Sequence, residues 1–390
     1  MEKGNDIRQV AGIAFREDNR VVKTEPRPLI EDLDELPLPA RNLLPLSKYR
    51  ALGAPCTVIT SRGCPYRCIF CSGPRLFGRR VRFRDPKLVV DEIEQLNKEF
   101  GFDKINIVDD TFTINHRHAQ AVCDEIMRRN LKFQWNAFAR ADTVTADILK
   151  SMREAGCAWL LYGAESASPE ILKTIKKGTT PDDIRRGTKL ATEAGIGVFN
   201  SFIFGLPGES PETAQQSMDF AQELNRDYDA RYGFHLLSPL PGTELYERPK
   251  DYGLRILSRN WAKYDANEPI TETATMSPQK VLEHMAYYDR IIACVWGETE
   301  RKAEEGDPAC VEVMRQQASI KFVWRLLNGD VIERLGWLKD GADPVRQLAQ
   351  RVSRKMDVPL DVAEREMGRL VQMGLLTCEL AKGGFIWKWS

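Results

Sequence analysis

The sequence predicts an α/β fold built around a parallel sheet of six strands, and two observations predict it. Apolar runs of strand length recur at residues 56–60, 104–108, 133–138, 159–163, 198–204 and 232–237. Between them lie helical patterns with start signals. Asp85-Pro86, Ser168-Pro169, Thr180-Pro181 and Ser210-Pro211 each set a capping side chain before a proline at the first helical position. Strand–helix alternation on this scale means βαβ crossovers. Six such units suit an open partial barrel or a doubly wound sheet, and periodicity alone does not choose between them.

The other segments follow in chain order. Residues 10–15 and 20–23 alternate as a short β-hairpin, with Glu17-Asp18-Asn19 at its turn. Pro26, Pro28, Pro37, Pro39 and Pro45 exclude a long helix and predict an extended linker that wraps another domain. After Pro86, Val89, Ile93, Leu96 and Phe100 fall at helical spacing, and Gly101, Gly156 and Gly195 stand where helices stop. Beyond about residue 268 the alternation ends. Ser277-Pro278 opens a helix to about residue 295, and a charged helical stretch covers 298–305.

In the last part of the chain, two amphipathic helices near 343–355 and 360–373 lead into a hairpin of residues 375–380 and 385–389, turning at Lys382-Gly383-Gly384. Helix–helix–hairpin is the outline of a winged helix. Asp361, Glu364 and Glu366 beside Arg369 make the second helix too acidic for DNA, so a packing or protein-contact module is expected. The chain thus divides into a hairpin and Pro-rich linker (1–55), an αβ region (56–255), a helical extension (256–340) and a winged-helix-like module (341–390).

Composition sets the outer bounds. Of the 390 residues, 43% are hydrophobic and 9% aromatic, enough for a sizeable core and against general disorder. Lys plus Arg (56) equals Asp plus Glu (56), so no net charge favours a nucleic acid as main partner. No apolar run approaches the ~18 residues of a membrane span. The opening residues Met1 to Asp6 read as no signal peptide, and the expected location is cytoplasmic.

Nine cysteines, an odd number and mostly scattered, form no disulfide framework. Only Cys64, Cys68 and Cys71 cluster, in Cys64-Pro-Tyr-Arg-Cys68-Ile-Phe-Cys71 directly after the first strand of the αβ region. Thiolates are soft ligands suited to iron–sulfur clusters or zinc. A structural zinc site wants a closed set of four, and the nearest fourth ligands are Cys56, inside a strand, and His116, His118 or Cys123. A cubane held by three thiolates leaves one iron open for a substrate or cofactor. Cys123 and Cys157 read as core or neutral positions on helices or helix ends.

Other chemistry-bearing residues gather at strand ends. Asp109-Asp110-Thr111-Phe112 closes the second strand, where side chains point into the ligand face, or else caps the next helix. Arg140 and Asp142 end the third strand, as a ligand contact or an ion pair. Gly163-Ala164-Glu165-Ser166 ends the fourth, Gly205-Leu-Pro-Gly208-Glu209 the fifth, and Pro241-Gly242-Thr243 follows the sixth.

C-x3-C-x2-C with Phe70 before the last cysteine resembles the radical S-adenosylmethionine (SAM) superfamily. The resemblance implies a partial (βα)6 TIM-like barrel of radical SAM type over residues 56–254. It implies a [4Fe-4S] cluster on Cys64, Cys68 and Cys71, whose open iron chelates SAM. Phe70, Gly163, Glu165, Arg140, Gly205 and Gly208 then bind the cofactor, while Asp110, Arg140, Asn200 or His235 touch the substrate. The linker, with Gly163-Ala-Glu-Ser166, Lys176-Lys-Gly-Thr179, Gly205-Leu-Pro-Gly-Glu209 and Pro241-Gly-Thr-Glu-Leu-Tyr246, resembles the cobalamin-dependent branch, which includes methyltransferases and the Mg-protoporphyrin ester cyclase. The cobalamin-binding domain of that branch has no counterpart here. The implied partners are a small-molecule substrate, a reductant such as flavodoxin or ferredoxin, and a separate corrinoid-binding protein. The implied outcome is C-methylation, or radical oxidation or cyclisation. The other two readings are an electron-transfer iron–sulfur protein and a zinc-stabilised interaction protein.

Overall fold

The computed structural model describes residues 6–339, 343–381 and 383–390. Residues 1–5, the expected start of the C-terminal module at 341–342, and Lys382 in its expected turn lie outside the described residues. A turn at Asp18 and Asn19, both at positive φ, joins β1 (Ala14–Glu17) to β2 (Arg20–Lys23), as hairpin twist requires. The first strand begins at Ala14, not at residue 10, behind a 3-10 turn at Ile7–Gln9.

Next come α1 (Leu46–Ala51), β3 (Cys56–Val58), β4 (Ser61–Arg62), α2 (Gly73–Phe77), β5 (Arg82–Phe83), α3 (Pro86–Lys98) and β6 (Lys104–Ile107). The barrel continues with α4 (His116–Arg128), β7 (Gln134–Ala139), α5 (Ala146–Glu154), β8 (Cys157–Glu165), α6 (Pro169–Thr174) and α7 (Pro181–Glu193). It ends with β9 (Gly197–Phe204), α8 (Pro211–Tyr228) and β10 (Arg231–Leu236). Asp85, Ser168, Thr180 and Ser210 each accept a first-turn amide, with proline just behind.

The six main strands are all parallel, in the order β3-β6-β7-β8-β9-β10. A doubly wound sheet reverses its order at a switch point. Here every crossover advances the same way, so the helices fall on one face and the sheet curls into a partial barrel with free edges at β3 and β10. Ile105, Ile107, Trp135, Leu160, Val198 and Phe202 fill the helix-facing side and are fully buried. Cys157 opens β8 as a core residue of this sheet, not a helix end.

Both edges are covered. The linker crosses β3, and its Arg41 donates to the Thr57 carbonyl (2.8 Å) and to Cys56 Sγ (3.0 Å). The same guanidinium pairs with Glu92 of α3, whose other oxygen takes Arg84 at 2.6 Å. The linker therefore wraps the barrel's own edge, where an unpaired strand would invite foreign pairing. After α9 (Glu244–Glu247), β11 (Arg255–Ile256) and β12 (Thr271–Glu272), α10 (Pro278–Glu304) lays Tyr288 against Tyr232 and Phe234 of β10. The two helical stretches expected here are one continuous helix of 27 residues.

Helix α11 (Pro308–Asn328) leads into β13 (Trp337–Lys339), α12 (Pro344–Met356), α13 (Leu360–Gln372), β14 (Leu376–Ala381) and β15 (Gly384–Trp389). The strands pair in the order β13-β15-β14, a winged-helix-like arrangement. Its core joins Phe322, Leu326, Leu338, Leu348, Met367 and Trp387. Ala51 of α1 enters that core, and Lys48 bridges to Glu333 at 2.6 Å. Glu366, read as surface acid, is buried and bonded to Ser319, Arg365 and Arg369. Among the described residues no helix is long and apolar enough to cross a membrane.

Removing one member of a buried ion network leaves the others uncompensated. Glu92→Gln is therefore expected to lower the unfolding free energy by about 3 kcal/mol, read by urea denaturation, and to expose the linker to limited proteolysis.

Candidate functional site

The cysteine loop leaves the barrel at the carboxyl end of β3. Its neck is a two-rung ribbon that pairs Ser61 with Phe83 and Arg62 with Arg82. Below the neck, Asp109 follows the end of β6 and is buried. Its carboxylate accepts the Thr60 amide (2.7 Å) and hydroxyl (2.5 Å) and the Ser61 amide (3.1 Å) and hydroxyl (2.7 Å). His118 Nε2 stands 3.0 Å from the Thr60 hydroxyl. Burial pulls its pKa down to about 4, so the ring is neutral and donates to an oxygen whose own proton goes to Asp109. The two aspartates thus divide: Asp109 clamps the loop neck, and Asp110 stays at the mouth, against Gly73 at the start of α2. Neither caps the next helix, which Asn115 does.

The loop is also tied at its middle. The Ile69 amide donates to the Ile175 carbonyl (3.1 Å), and the Ile69 carbonyl accepts the Leu245 amide (2.9 Å). Phe70 is half-buried against the barrel core. Cys64 is buried, Cys68 intermediate and Cys71 exposed. The Cys71 sulfur accepts the Gly73 amide at 3.4 Å. Burial pushes all three thiols up, Cys71 to about 11; Cys68 raises Cys64 and Cys71 further, and Cys64 adds to the rise at Cys71.

Such a trio holds its anionic form only with nearby positive charge, as a bound metal group supplies. The donor set therefore fits an iron–sulfur cluster. Among the described residues no three His, Cys, Asp or Glu side chains converge as ligands of a single ion would. The remote fourth ligands of the zinc reading are engaged elsewhere. Cys123 lies in the core, His118 holds Thr60, and His116 bonds the Thr143 carbonyl at 2.7 Å.

Arg140 stacks on the Tyr66 ring at 3.5 Å and makes a two-pronged pair with Asp142, both bonds 2.9 Å. It is buried and close enough to Cys64 and Cys68 to stabilise their thiolates. Glu165 follows a bulge between β8 and β9 and takes a left-handed φ of 65°. Its carboxylate meets Lys177 Nζ at 2.8 Å, with both side chains buried. A Cβ on Gly163 would press on the far ends of that pair, which would have to shift. The sequence alone does not mark Tyr66 or Lys177 as site residues, and the phrase Lys176-Lys177-Gly178 is the one trace of the second.

Gly205 and Gly208 both sit at positive φ in the turn after β9. The Gly205 amide donates to Glu209 Oε2 at 2.5 Å, while Glu209 Oε1 is buried with no partner among the described residues. Asn200 corrects an expectation. Its Nδ2 donates to Thr188 of α7 at 3.3 Å, so it faces the helices and not the lumen. His235 is exposed and shares the opposite parity with Asn136, Phe138, Leu161 and Ser201. These side chains line the inside of the barrel.

The cysteine loop and residues 242–247 enclose a cleft of about 310 Å³ that includes Cys68 and Cys71. A larger groove of about 1220 Å³ lies outside the barrel between α7 and α8. It holds none of these residues, and its main charges pair with each other, as Arg185 does with Asp182 and Glu223. The smaller cleft is the one that reaches two of the three clustered cysteines.

The profile described as the Radical SAM superfamily matches residues 58–221. An uncharacterized methyltransferase of Pyrococcus horikoshii is 36% identical over 282 residues, which are 72% of this chain and 61% of the relative. An anaerobic magnesium-protoporphyrin IX monomethyl ester cyclase of Synechocystis is 36% identical over 294 residues, 72% of this chain and 56% of that protein. The chain therefore spans under two thirds of these relatives' lengths. Among solved structures, the cobalamin-dependent radical enzyme OxsB superposes with a TM-score of 0.60 at 17% identity, covering 96% of this chain and 61% of that one. The radical SAM methyltransferase TsrM of Kitasatospora setae gives 0.55 at 24% identity, covering 72% and 56%. At these identities the two structures establish the shared fold.

Burial lifts the Glu209 carboxyl from near 4.5 to about 8. Below the ordinary value both folded and unfolded chains keep this proton, and nothing is lost. Between 4.5 and 8 only the unfolded chain ionises, so stability falls by on the order of 1 kcal/mol per pH unit. Glu209→Gln removes that slope. Melting temperatures of the two proteins from pH 5 to 8 are expected to diverge in favour of the variant as pH rises.

Proposed function

Because this chain belongs to the radical SAM superfamily, we propose that it holds a [4Fe-4S] cluster on Cys64, Cys68 and Cys71 and binds SAM at the open iron. The observation that carries this reading is three thiols on one clamped loop, while Cys56, His116, His118 and Cys123, the other candidate ligands, are engaged or buried elsewhere. When bound and reduced, the cluster supplies one-electron cleavage of the SAM sulfonium, which delivers a radical able to attack an unactivated carbon.

The chain's own residues bind, orient and screen. Arg140, paired with Asp142 and stacked on Tyr66, locks the loop to β7 and sets its guanidinium beside Cys68. Glu165, at the end of β8, offers the SAM ammonium a carboxylate that Lys177 already holds in place. Gly163 keeps the backbone low beneath that pair. Phe70 and the turn from Gly205 to Gly208 flank the nucleoside, with Glu209 closing the turn from behind. Asp110 at the mouth and the lumen row of Phe138, Ser201 and His235 face the substrate, a small molecule. The protein orients the reaction and keeps water from it.

The outcome is C-methylation. This rests on the Pyrococcus horikoshii relative and on further relatives named as methyltransferases, one for bacteriochlorophyllide d and one for cytidylyl-2-hydroxyethylphosphonate. The methyl carrier is a corrinoid, as in the cobalamin-bound TsrM, supplied by a separate protein or segment. Ring closure is the second reading, favoured by the equal 36% identity to the Synechocystis cyclase. The electron comes from a protein reductant such as flavodoxin or ferredoxin.

Anaerobically reconstituted protein, reduced with dithionite, is expected to form 5′-deoxyadenosine from SAM, and Cys68→Ala to fall to background. Methylcobalamin with candidate substrates then separates methylation from cyclisation. A loaded wild-type cluster that never cleaves SAM contradicts the proposal.

A further inference from the structure

The reaction proposed above needs one electron from outside the chain for each SAM cleaved. We infer that the electron enters across a basic face around Cys71, and that this face, made by Arg67, Arg75 and Arg79, docks a small acidic electron-carrier protein. The inference rests on the proposed function and adds the place and the chemistry of the encounter.

Three observations converge. First, among the described residues no second group of cysteines approaches the loop; Cys294, Cys310 and Cys378 lie singly on distant elements. No internal relay is at hand, and electron transfer falls steeply with distance, so the donor must touch the rim of the site. Second, Cys71 is the exposed member of the three cysteines. It is the shortest bridge from solvent to the cluster.

Third, the rim carries an excess of positive charge. Arg67, Arg75 and Arg79 line the cleft beside Cys68 and Cys71. All three are exposed, and none makes a salt bridge or side-chain hydrogen bond among the described residues. The cleft's two acids are already engaged. Glu244 holds Lys176 at 2.7 Å and the Tyr252 hydroxyl, and Glu247 accepts the Gly242 amide at 3.0 Å. A chain with no net charge thus gathers three free guanidiniums around one metal ligand. Leu76, 63% exposed, stands among them as an apolar centre. A small apolar contact ringed by charge suits a transient complex steered by electrostatics.

In the step itself the reduced carrier loses one electron and the oxidised cluster gains it; no bond forms or breaks and no proton moves. The probe is flavodoxin. Its binding to reconstituted protein is measured by calorimetry at low and high salt, and SAM cleavage is timed with reduced flavodoxin and with dithionite. R67E/R75E/R79E is expected to weaken flavodoxin binding about tenfold or more and to abolish its salt dependence. Flavodoxin-driven cleavage falls in proportion, while the dithionite-driven rate stays at the wild-type level. R75E/R79E, outside the Cys64–Cys71 stretch, gives a smaller loss of the same kind and guards against a misfolded loop. Unchanged flavodoxin affinity in both variants overturns the inference, as does equal loss of both rates. A wild type that fails with dithionite defeats the proposed function alone, and the binding comparison still decides the docking face.

Discussion

Four hydrogen bonds to one buried carboxylate hold the site together. Asp109 takes both amides and both hydroxyls of Thr60 and Ser61, fixing the point where β3 gives way to the cysteine loop. Burial raises the Asp109 pKa and the four donors lower it again in part. An unpaired carboxylate at this depth would be costly. The pairing makes the loop neck one of the most determined places in the chain, and the positions of Cys64, Cys68 and Cys71 follow from it.

The barrel gives that neck a rigid base. Sequential parallel strands put the helices on one side and leave the carboxyl ends of β6, β7 and β8 side by side. Asp110, Arg140 and Glu165 therefore surround a loop launched from the neighbouring strand β3. The free edge of β3 is closed by Arg41, reaching from the linker to Thr57 and Glu92. One guanidinium thus joins the segment before the barrel to the strand that feeds the site. The winged-helix-like module touches the same N-terminal segment through Ala51 and Lys48.

Much of this was legible from local signals. Serine, threonine or aspartate before proline marks helix starts because the cap and the fixed φ act within one turn, and Asp85, Ser168, Thr180 and Ser210 all cap as expected. The six apolar runs gave the strands for a similar reason. Parity was harder to read. The lumen-facing positions are themselves partly apolar, so parity is hard to read from the residues, and Asn200, expected at the substrate, bonds Thr188 behind the sheet. Asp109 and Asp110 looked alike and do opposite things, because only the three-dimensional approach of Thr60 and Ser61 tells them apart. Lys177 and Glu209 act through partners that a sequence does not pair.

The central claim is that three thiolates of this chain hold a cluster with one iron open to SAM. Electron paramagnetic resonance of the reconstituted, reduced protein, recorded with and without SAM, tests it most directly. The account predicts a [4Fe-4S]⁺ signal whose g-values shift on adding SAM, and loss of that signal in a chain lacking Cys64, Cys68 and Cys71. A cluster signal that SAM leaves unchanged, or stoichiometric zinc in place of iron, would contradict it.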